Sequence, residues 1–354
     1  MSALDETVAA IAPPDEDAAR RAGERLDSLT KPPGSLGYLE EIVRRYAAIR
    51  RDPEALFTRG AIAVFAADHG IAAAGVSAYP AAVTVEMLRN IGAGGAAISV
   101  LARRFGYELL VTDVGVATDT SAAPFPGVRY RRVGAGTRNF LDGPAMTPAQ
   151  ARSALEAGIA TAREALAGGA TLLGIGEMGI ANSTSAAALL AAATGIAPAR
   201  LAGRGTGVDD RGLARKIAVI ERALALHRDA FGDGVATLAA IGGFEIAAMA
   251  GVCLAGAAAA TPVVVDGFIA TAAAAIAERI RPGALGHLFF SHRSAEGGHA
   301  LALEALGARP VLDLDMRLGE GTGAALAMNV IESALALFHQ MATFASAGVS
   351  GKLA

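Results

Sequence analysis

Seven short apolar runs along the chain share one pattern: each has the length of a β-strand and ends in a glycine, an acidic residue or a histidine. They read AIAVFAADHG, YELLVTDVG, TLLGIGEMG, VATLAAIGG, PVVVDG, LGHLFFSH and PVLDLDMRLGEG. Alanine-rich helical segments separate them. This alternation predicts an α/β fold in which crossover helices flank a mainly parallel sheet, with polar residues gathered at the carboxyl ends of the strands.

The two ends of the chain have a different pattern. Residues 1–60 are charged and helical in spacing, and LTKPPGSLG at 29–37 interrupts them because its two prolines cannot continue a helix. The tail after residue 324 is again helical in pattern. We expect residues 1–60 and 325–354 to pack together as a small helical domain beside a large α/β domain at 61–324.

The stretch LDLDMRLGEGTGA, at 312–324, concentrates candidate chemistry. A strand-like beginning leads into three closely spaced glycines, and a helix-forming segment follows. Turns of this kind form ligand sites at the carboxyl edge of α/β sheets, where a helix N-terminus offers free N–H groups to anions. Glu320 lies between the glycines and is a candidate proton acceptor, although an ordinary glutamate near a helix start fits the spacing equally well.

A second glycine motif, GIGEMG, matches the GxGxxG pattern with Gly174, Gly176 and Gly179. It predicts a turn between a strand and a helix, but the acidic residue expected about 20 positions later in a dinucleotide site is missing. An NAD-dependent dehydrogenase is therefore a weak interpretation, and a phosphate near Gly179 is a better one. Glu177 would repel a phosphate and suits a ribose hydroxyl or a cationic ring.

Two further segments are candidates for binding. GRGTGVDDRGLARK begins at Gly203 and ends at Lys216, which is a natural phosphate partner or an ordinary solvent-facing helix lysine. Tyr79 and Pro80 offer either a flat surface to an aromatic ligand or a packed loop.

Three histidines near one glutamate raise two other kinds of site. The spacing of His287, His292, His299 and Glu296 fits no zinc pattern, which disfavours a metal site. Ser291 with His292 and Glu296 suggests a hydrolase triad, but no G-x-S-x-G elbow supports it.

Composition narrows the function classes further. The chain has 354 residues, 53% of them hydrophobic, a net charge of −3 and no lysine-rich run, which argues against a nucleic-acid partner. A single cysteine, Cys253, excludes a disulfide framework and fits a reducing cytoplasm. The acidic N-terminus lacks the layout of a secretion signal.

One uncharged segment, Ile246 to Val265, is long enough to span a bilayer. It consists mostly of alanine and glycine, contains Thr261 and Pro262, and lacks aromatic or basic anchors. A buried helix followed by a buried strand is the better prediction.

Taken together, these motifs resemble the nicotinate-nucleotide–dimethylbenzimidazole phosphoribosyltransferase family of cobalamin synthesis. The resemblance covers nearly the whole chain and rests on LTKPPGSLG, ADHGI, GVSAYP, GIGEMGIANSTSA, GRGTGVDD, IGGFEIAAMAG, VVVDGF, SHRSAEGGH and MRLGEGTGAALA, in the order of the family. It implies a Rossmann-like large domain, a small helical domain from both chain ends, and a homodimer. It also implies transfer of ribose 5-phosphate from nicotinate mononucleotide to a benzimidazole, without metal or redox cofactor.

The resemblance assigns roles to individual residues. Glu320 would be the general base, and the substrate-binding residues would be Ser77, Tyr79, Pro80, Glu177, Met178, Gly179, Gly203, Lys216, Asp266, Ser291, Arg317, Leu318 and Gly319. Two departures stand out: Ser183 replaces the usual threonine, and Ala81–Ala82 replaces polar residues beside the aromatic pocket. The second departure leaves the accepted base open, and a catalytically silent nucleotide-binding protein on the same fold is the alternative function.

Overall fold

A seven-stranded sheet forms the middle layer of the molecule, and all its strands run parallel. The computed structural model describes residues 1–120, 123–205 and 207–350. Its strands are β1 (Gly60–Ala67), β2 (Glu108–Gly115), β3 (Val128–Tyr130), β4 (Leu172–Met178), β5 (Val263–Val265), β6 (Leu288–His292) and β7 (Pro310–Leu312). The predicted α/β fold with a parallel sheet and flanking helices is confirmed.

The order of the strands, β3-β2-β1-β4-β5-β6-β7, creates a switch point in the middle of the sheet. The chain builds β2 and β3 outward from one side of β1, then returns to pair β4 with its other side and continues outward to β7. The connections leaving β1 and β4 diverge at their carboxyl ends. In doubly wound folds this crevice is where ligands bind.

Helices cover both faces of the sheet. In the described part of the chain they are α1 (Ala3–Ala10), α2 (Glu16–Ser28), α3 (Tyr38–Arg50), α4 (Ala82–Gly92), α5 (Ala97–Phe105), α6 (Pro148–Ala167), α7 (Asn182–Thr194), α8 (Pro198–Leu201), α9 (Asp210–Leu226), α10 (Gly234–Ile241), α11 (Phe244–Ala258), α12 (Phe268–Ile280), α13 (His299–Ala305), α14 (Thr322–Gln340) and α15 (Phe344–Ala347). One core holds side chains of α1, α6, α7, α10, α11 and α12, and the other holds side chains of α2 to α5 and α14.

Strand β1 shows why its sequence is continuously apolar. Ala63 and Phe65 point into the core on the α11 side, whereas Ile62 and Val64 point into the core on the α14 side. A central strand of a parallel sheet is covered on both faces, so neither set of alternate positions can be polar. All eight residues of β1 are buried.

One predicted strand is wrong, and one real strand was not predicted. VATLAAI forms helix α10, because the side chain of Asp233 accepts a hydrogen bond from the Ala236 N–H and starts a helix in a run rich in good helix formers. The run looks strand-like because it is apolar, and packing buries five of its seven residues. The sequence does not reveal strand β3, because the strand has only three residues, all half-buried at the sheet edge, and its central residue, Arg129, forms an ion pair with Glu164.

The ends of the chain pack on both faces of the sheet. Helices α2, α3 and α14 share one core, and a buried Lys31–Glu40 ion pair of 2.8 Å fastens the loop at 29–37 to α3. Helix α1 lies on the opposite face, against α6 and α11. The division into a large domain at 61–324 and a small domain from 1–60 and 325–354 stays a prediction.

The apolar segment 246–265 is confirmed as a buried helix, the main part of α11, followed by the buried strand β5. Within the described residues, α14 is the one helix long and apolar enough to pass a membrane-span test by length and composition. Its apolar side chains pack against α3, α5 and β6, as in the core helix of a globular fold.

Candidate active site

A cavity of about 440 Å³ opens at the carboxyl ends of the central strands. Its walls come from the segments that follow β1, β4, β5, β6 and β7. Of the residues that the sequence and the resemblance single out, the wall contains Ser77, Tyr79, Glu177, Met178, Gly179, Asp266, Arg317, Leu318, Gly319 and Glu320. Residues that lie far apart in the chain thus meet at the switch point between β1 and β4.

Four predicted residues lie elsewhere. Gly203 lines a neighbouring groove of about 520 Å³, which shares Glu296 and Arg317 with the cavity. Lys216 and Ser291 are buried behind the wall, and Pro80 is exposed after Tyr79. Two of them contact residues of the wall: Lys216 bonds to Ser183, and Ser291 bonds to His292.

The GEG turn before α14 rests directly on strand β4. A Cβ atom on Gly176 would lie 2.4 Å from the Gly321 nitrogen and 2.5 Å from the Glu320 carbonyl carbon. Gly174 and Gly176 therefore serve close packing within a strand, and the predicted dinucleotide-type turn at GIGEMG is wrong. Glu320 itself has a φ of 62°, a left-handed conformation that is uncommon for a residue other than glycine.

Asp266, just beyond β5, fixes that turn by hydrogen bonds. Its carboxylate accepts hydrogen bonds from the Gly321 N–H at 3.1 Å and the Ala324 N–H at 2.9 Å. The N–H groups expected to be free at the start of α14 are therefore already engaged, which corrects the prediction of an anion site there. Burial raises the pKa of Asp266 to about 6, although these N–H groups oppose the shift.

Glu320 is 6% exposed and reaches from the turn toward the start of α5. Its Oε2 accepts a hydrogen bond from the Ile98 N–H at 3.4 Å, where the cap position, Ala96, has no side-chain oxygen. Burial raises the pKa of Glu320 and the nearby Asp266 carboxyl adds to the shift, while the Ile98 N–H lowers it. A carboxylate of raised pKa on a cavity wall is suited to accept a proton from a ligand.

Glu177 lies on the other side of the turn. The Asn182 amide donates a hydrogen bond to its Oε2, and its Oε1 lies 2.4 Å from where a Cβ on Gly319 would be. Burial raises the pKa of Glu177 to about 8; Asn182 opposes this shift, and the carboxyl groups of Glu245 and Asp266 add to it. Glu177 therefore favours either a proton or a cationic ligand beside it.

The cavity's third feature is a group of backbone N–H donors. Helices α7 and α12 both begin at the cavity wall, and neither has a side-chain cap, although the Asn182 and Thr184 N–H groups of α7 already bond to the carbonyl oxygens of Gly179 and Ala181. Behind α7, Lys216 donates hydrogen bonds to Ser183 Oγ at 2.8 Å and to the Gly203 carbonyl at 3.2 Å. Lys216 is buried, not solvent-facing, and desolvation lowers its pKa. This end of the cavity suits a phosphate.

Of the residues considered for a metal site, His292, His299 and Glu296 each bond to a different group of the protein. His292 contacts Ser291, His299 contacts Thr271 and Ser294, and the Gly205 N–H binds Glu296. Across the described ranges, no three His, Cys, Asp or Glu side chains form a group that could hold a metal ion.

The sequence missed part of the wall. Val83 and Met87 of α4 line the cavity beside Tyr79, whereas Ala81 and Ala82 are exposed. The i, i+4 spacing of Val83 and Met87 is a helical signal that could have identified them. Asn182, Phe268 and Ser294 also line the wall, and no local pattern marks them. His292 and Glu296, which the sequence offered only for a metal site or a triad, line it too.

Comparison with known proteins agrees with this geometry. The profile of a phosphoribosyltransferase family matches residues 11–349. The nicotinate-nucleotide–dimethylbenzimidazole phosphoribosyltransferase of Chloroflexus aggregans is 51% identical over 352 residues, covering 99% of each chain. The enzyme of that name from Azotobacter vinelandii is 51% identical over 346 residues, covering 98% of each chain.

Solved structures give the same result. The crystal structure of CobT from Thermus thermophilus superposes with a TM-score of 0.90 at 49% identity, covering 94% of this chain and 99% of that one. The predicted resemblance is confirmed: the chain belongs to the nicotinate-nucleotide–dimethylbenzimidazole phosphoribosyltransferase family.

Proposed function

We propose that the chain transfers ribose 5-phosphate from nicotinate mononucleotide to 5,6-dimethylbenzimidazole or a similar base. The products are α-ribazole 5′-phosphate and nicotinate, for the lower-ligand nucleotide of cobalamin. The observation that carries this proposal is that two kinds of group line one cavity. One is a buried carboxyl group of raised pKa, Glu320, and the other is the pair of helix starts, α7 and α12, that have no side-chain cap. A proton acceptor and a phosphate site in one cavity are what this transfer needs.

The nucleotide would lie with its phosphate at the starts of α7 and α12. Lys216 supports that end through Ser183 and the 203–205 loop, without lying on the wall itself. The nicotinate ring of the substrate is a pyridinium cation, so Glu177 and Asp266 favour it electrostatically. Once the bond is broken the ring is a neutral pyridine carrying a carboxylate, so the attraction is lost and release of nicotinate from the cavity is favoured.

The incoming base would occupy the apolar part of the cavity. Val83, Met87, Met178 and Leu318 provide aliphatic and thioether surface, and Tyr79 provides an aromatic ring. Methionine side chains adapt to flat ligands of different outline. A benzimidazole with apolar substituents fits this wall.

The chemical step is a substitution at the anomeric carbon. The unprotonated ring nitrogen of the base attacks C1′ as the bond to the pyridinium nitrogen breaks, and that bonding pair neutralises the leaving ring. Attack from the opposite face converts the β configuration to α. Positive charge develops on the incoming base, and Glu320 takes the proton from its other nitrogen as general base.

Three broader features belong to the same proposal. We expect a homodimer, a cytoplasmic location, and no membrane or nucleic-acid partner. The single buried cysteine supports the cytoplasmic location, and the net charge of −3 supports the absence of a nucleic-acid partner. Sedimentation of the purified protein checks the first, because a dimer has twice the 35.5 kDa mass of the chain.

The decisive experiment incubates the purified protein with nicotinate mononucleotide and a panel of bases and resolves the products by chromatography. An α-linked ribotide and free nicotinate are expected. Replacement of Glu320 by Gln should lower kcat by about 10²- to 10⁴-fold, because the general base is lost, and leave nucleotide binding nearly intact. Glu86→Gln, an exposed change on α4, is the matched control.

Two results would contradict the proposal. Full turnover by the Glu320→Gln variant would remove the general-base role. Saturable binding of nicotinate mononucleotide by the unmodified protein, with no product from any base, would favour the silent nucleotide-binding protein.

A further inference from the structure

His292 lies on the cavity wall, and the proposed reaction gives it no task. We propose that His292 presents an unprotonated Nε2 to the cavity and accepts a hydrogen bond from a ribose hydroxyl of the nucleotide. This inference rests on the proposed function, and it makes His292 a specificity-determining residue for ribose.

The proton on His292 is located by its neighbour. Ser291 Oγ is 2.8 Å from the Asp266 carbonyl oxygen and 2.8 Å from His292 Nδ1. A carbonyl oxygen only accepts, so the single hydroxyl hydrogen of Ser291 must point to Asp266. Toward His292, Ser291 is then the acceptor, and Nδ1 carries the hydrogen.

The other ring nitrogen follows from this assignment. Burial lowers the pKa of His292, so its imidazole is neutral at physiological pH. A neutral imidazole has one N–H, which Nδ1 holds, and Nε2 is therefore a lone-pair acceptor.

Two glycines give the ring its place. A Cβ on Gly323 would lie 2.1 Å from His292 Nδ1, a distance too short for any side chain. Gly323, the last glycine of GEGTG, therefore leaves the space that the imidazole ring occupies. On the other side, a Cβ on Gly267 would lie 3.3 Å from the ring's Cε1 and 3.5 Å from Nε2. Nε2 therefore lies beside Gly267 at the start of α12, and both His292 and Gly267 line the wall of the cavity.

A second histidine shows what a purely structural arrangement looks like. Thr271 Oγ1 donates to the Gly267 carbonyl at 2.9 Å and accepts from His299 Nε2 at 2.9 Å. His299 Nδ1 in turn accepts from the Ser294 N–H at 2.8 Å. Both nitrogens of His299 are engaged within the protein, whereas His292 keeps one acceptor for the cavity.

The chemistry of the substrate selects the partner. The phosphate and the nicotinate carboxylate are acceptors and would be repelled by a lone pair at Nε2. The pyridinium ring has no N–H, and the N–H of the incoming base goes to Glu320. The ribose hydroxyls are the remaining hydrogen-bond donors.

The test compares nicotinate mononucleotide with its 2′-deoxy and 3′-deoxy analogues, using unmodified protein and His292→Asn. Asparagine can keep the bond to Ser291 but does not extend to the Nε2 position. With the normal substrate, kcat/KM should fall about 10- to 100-fold. With the analogue that lacks the recognised hydroxyl, the substitution should cause almost no further loss, because the bond is already absent.

His299→Asn is the control: its melting temperature should fall, while its preference for ribose over either deoxyribose should stay that of the unmodified protein. If His292→Asn does not fold, Ser291→Ala tests the same bond, since it frees the ring to protonate Nε2 and should weaken ribose preference. If His292→Asn lowers kcat/KM by the same factor with the normal substrate and with both deoxy analogues, the inference is overturned. Absence of turnover in the unmodified protein would instead overturn the proposed function.

Discussion

At the scale of single residues, the cavity gathers three carboxyl groups, Glu177, Asp266 and Glu320, and burial raises the pKa of each. They differ in what holds them. Asp266 is tied to two backbone N–H groups of the turn and its helix, Glu177 to the Asn182 amide at 2.5 Å, and Glu320 to the Ile98 N–H at 3.4 Å, the longest of these bonds. Glu320 is thus the least constrained of the three carboxyl groups and the one best able to exchange a proton with a ligand.

The pKa of Glu177 makes a prediction about stability. A group with a pKa of about 8 in the fold and 4.5 as its ordinary value stabilises the fold fully below pH 4.5 and loses that contribution as the pH rises to about 8. Glu177→Gln cannot titrate, so its stability relative to the unmodified protein should rise by up to about 1.4 kcal/mol per pH unit within this window. Urea unfolding at pH 5 and pH 8 measures this difference.

Glu86→Gln, exposed on α4, should show no such trend and serves as the control. A stability difference for Glu177→Gln that does not change with pH would show that the carboxyl group is ionised at both values.

Individual residues were predictable from sequence to different degrees. Glu320 and Glu177 could be named because glycines flank them, and those glycines do bring the two segments into contact. The acceptor state of His292 could not be predicted, because it depends on the carbonyl group of Asp266, which is distant along the chain and holds the Ser291 hydroxyl.

At the scale of elements, the turn before α14 depends on a strand that it does not belong to. Asp266, at the end of β5, caps α14, whereas the helix has no cap of its own. The sequence shows the glycines of the turn but not the distant carboxylate, so α14 looked open to anions when it was already capped.

Asp266→Ala should therefore lose about 1 to 3 kcal/mol of stability, since two N–H groups are left without an acceptor in a buried place. It should also lower kcat, because the turn carries Glu320. Thermal unfolding and product formation measure the two effects.

Asp233→Ala provides the comparison, because Asp233 also accepts a helix-start N–H, as the N-cap residue of α10, and does not line the cavity. It should lose about 1 kcal/mol with activity retained. Equal loss of activity in both variants would mean that Asp266 acts only through overall stability.

At the scale of the whole molecule, the layer outside the sheet depends on close helix contacts. A Cβ on Gly158 of α6 would lie 1.8 Å from the Ala248 carbonyl oxygen of α11, and one on Gly251 would lie 2.1 Å from the Leu155 carbonyl oxygen. The alternation of apolar runs and helical segments predicted the layers. It did not explain the glycines inside α6 and α11, because glycine is unfavourable within a helix and its packing role depends on a helix distant in sequence.

Gly158→Ala should destabilise the protein although alanine is the better helix former by about 1 kcal/mol. The added methyl group forces α6 and α11 apart, so the melting temperature should fall by several degrees. Gly232→Ala, where a Cβ would meet nothing within 4 Å, should leave it nearly unchanged. A more stable Gly158→Ala variant would show that the two helices move apart freely.

The order in which the cavity wall appears along the chain has a consequence for synthesis. The switch point is complete once β4 has paired with β1, but the proton acceptor of the proposed reaction, Glu320, follows the seventh strand, and α14 behind it ends at Gln340. A nascent chain therefore contains the starts of α7 and α12, where we propose that the phosphate binds, before it contains the proposed base. Turnover has to wait until Glu320 and the helix behind it, which packs in one of the two cores, have been synthesised.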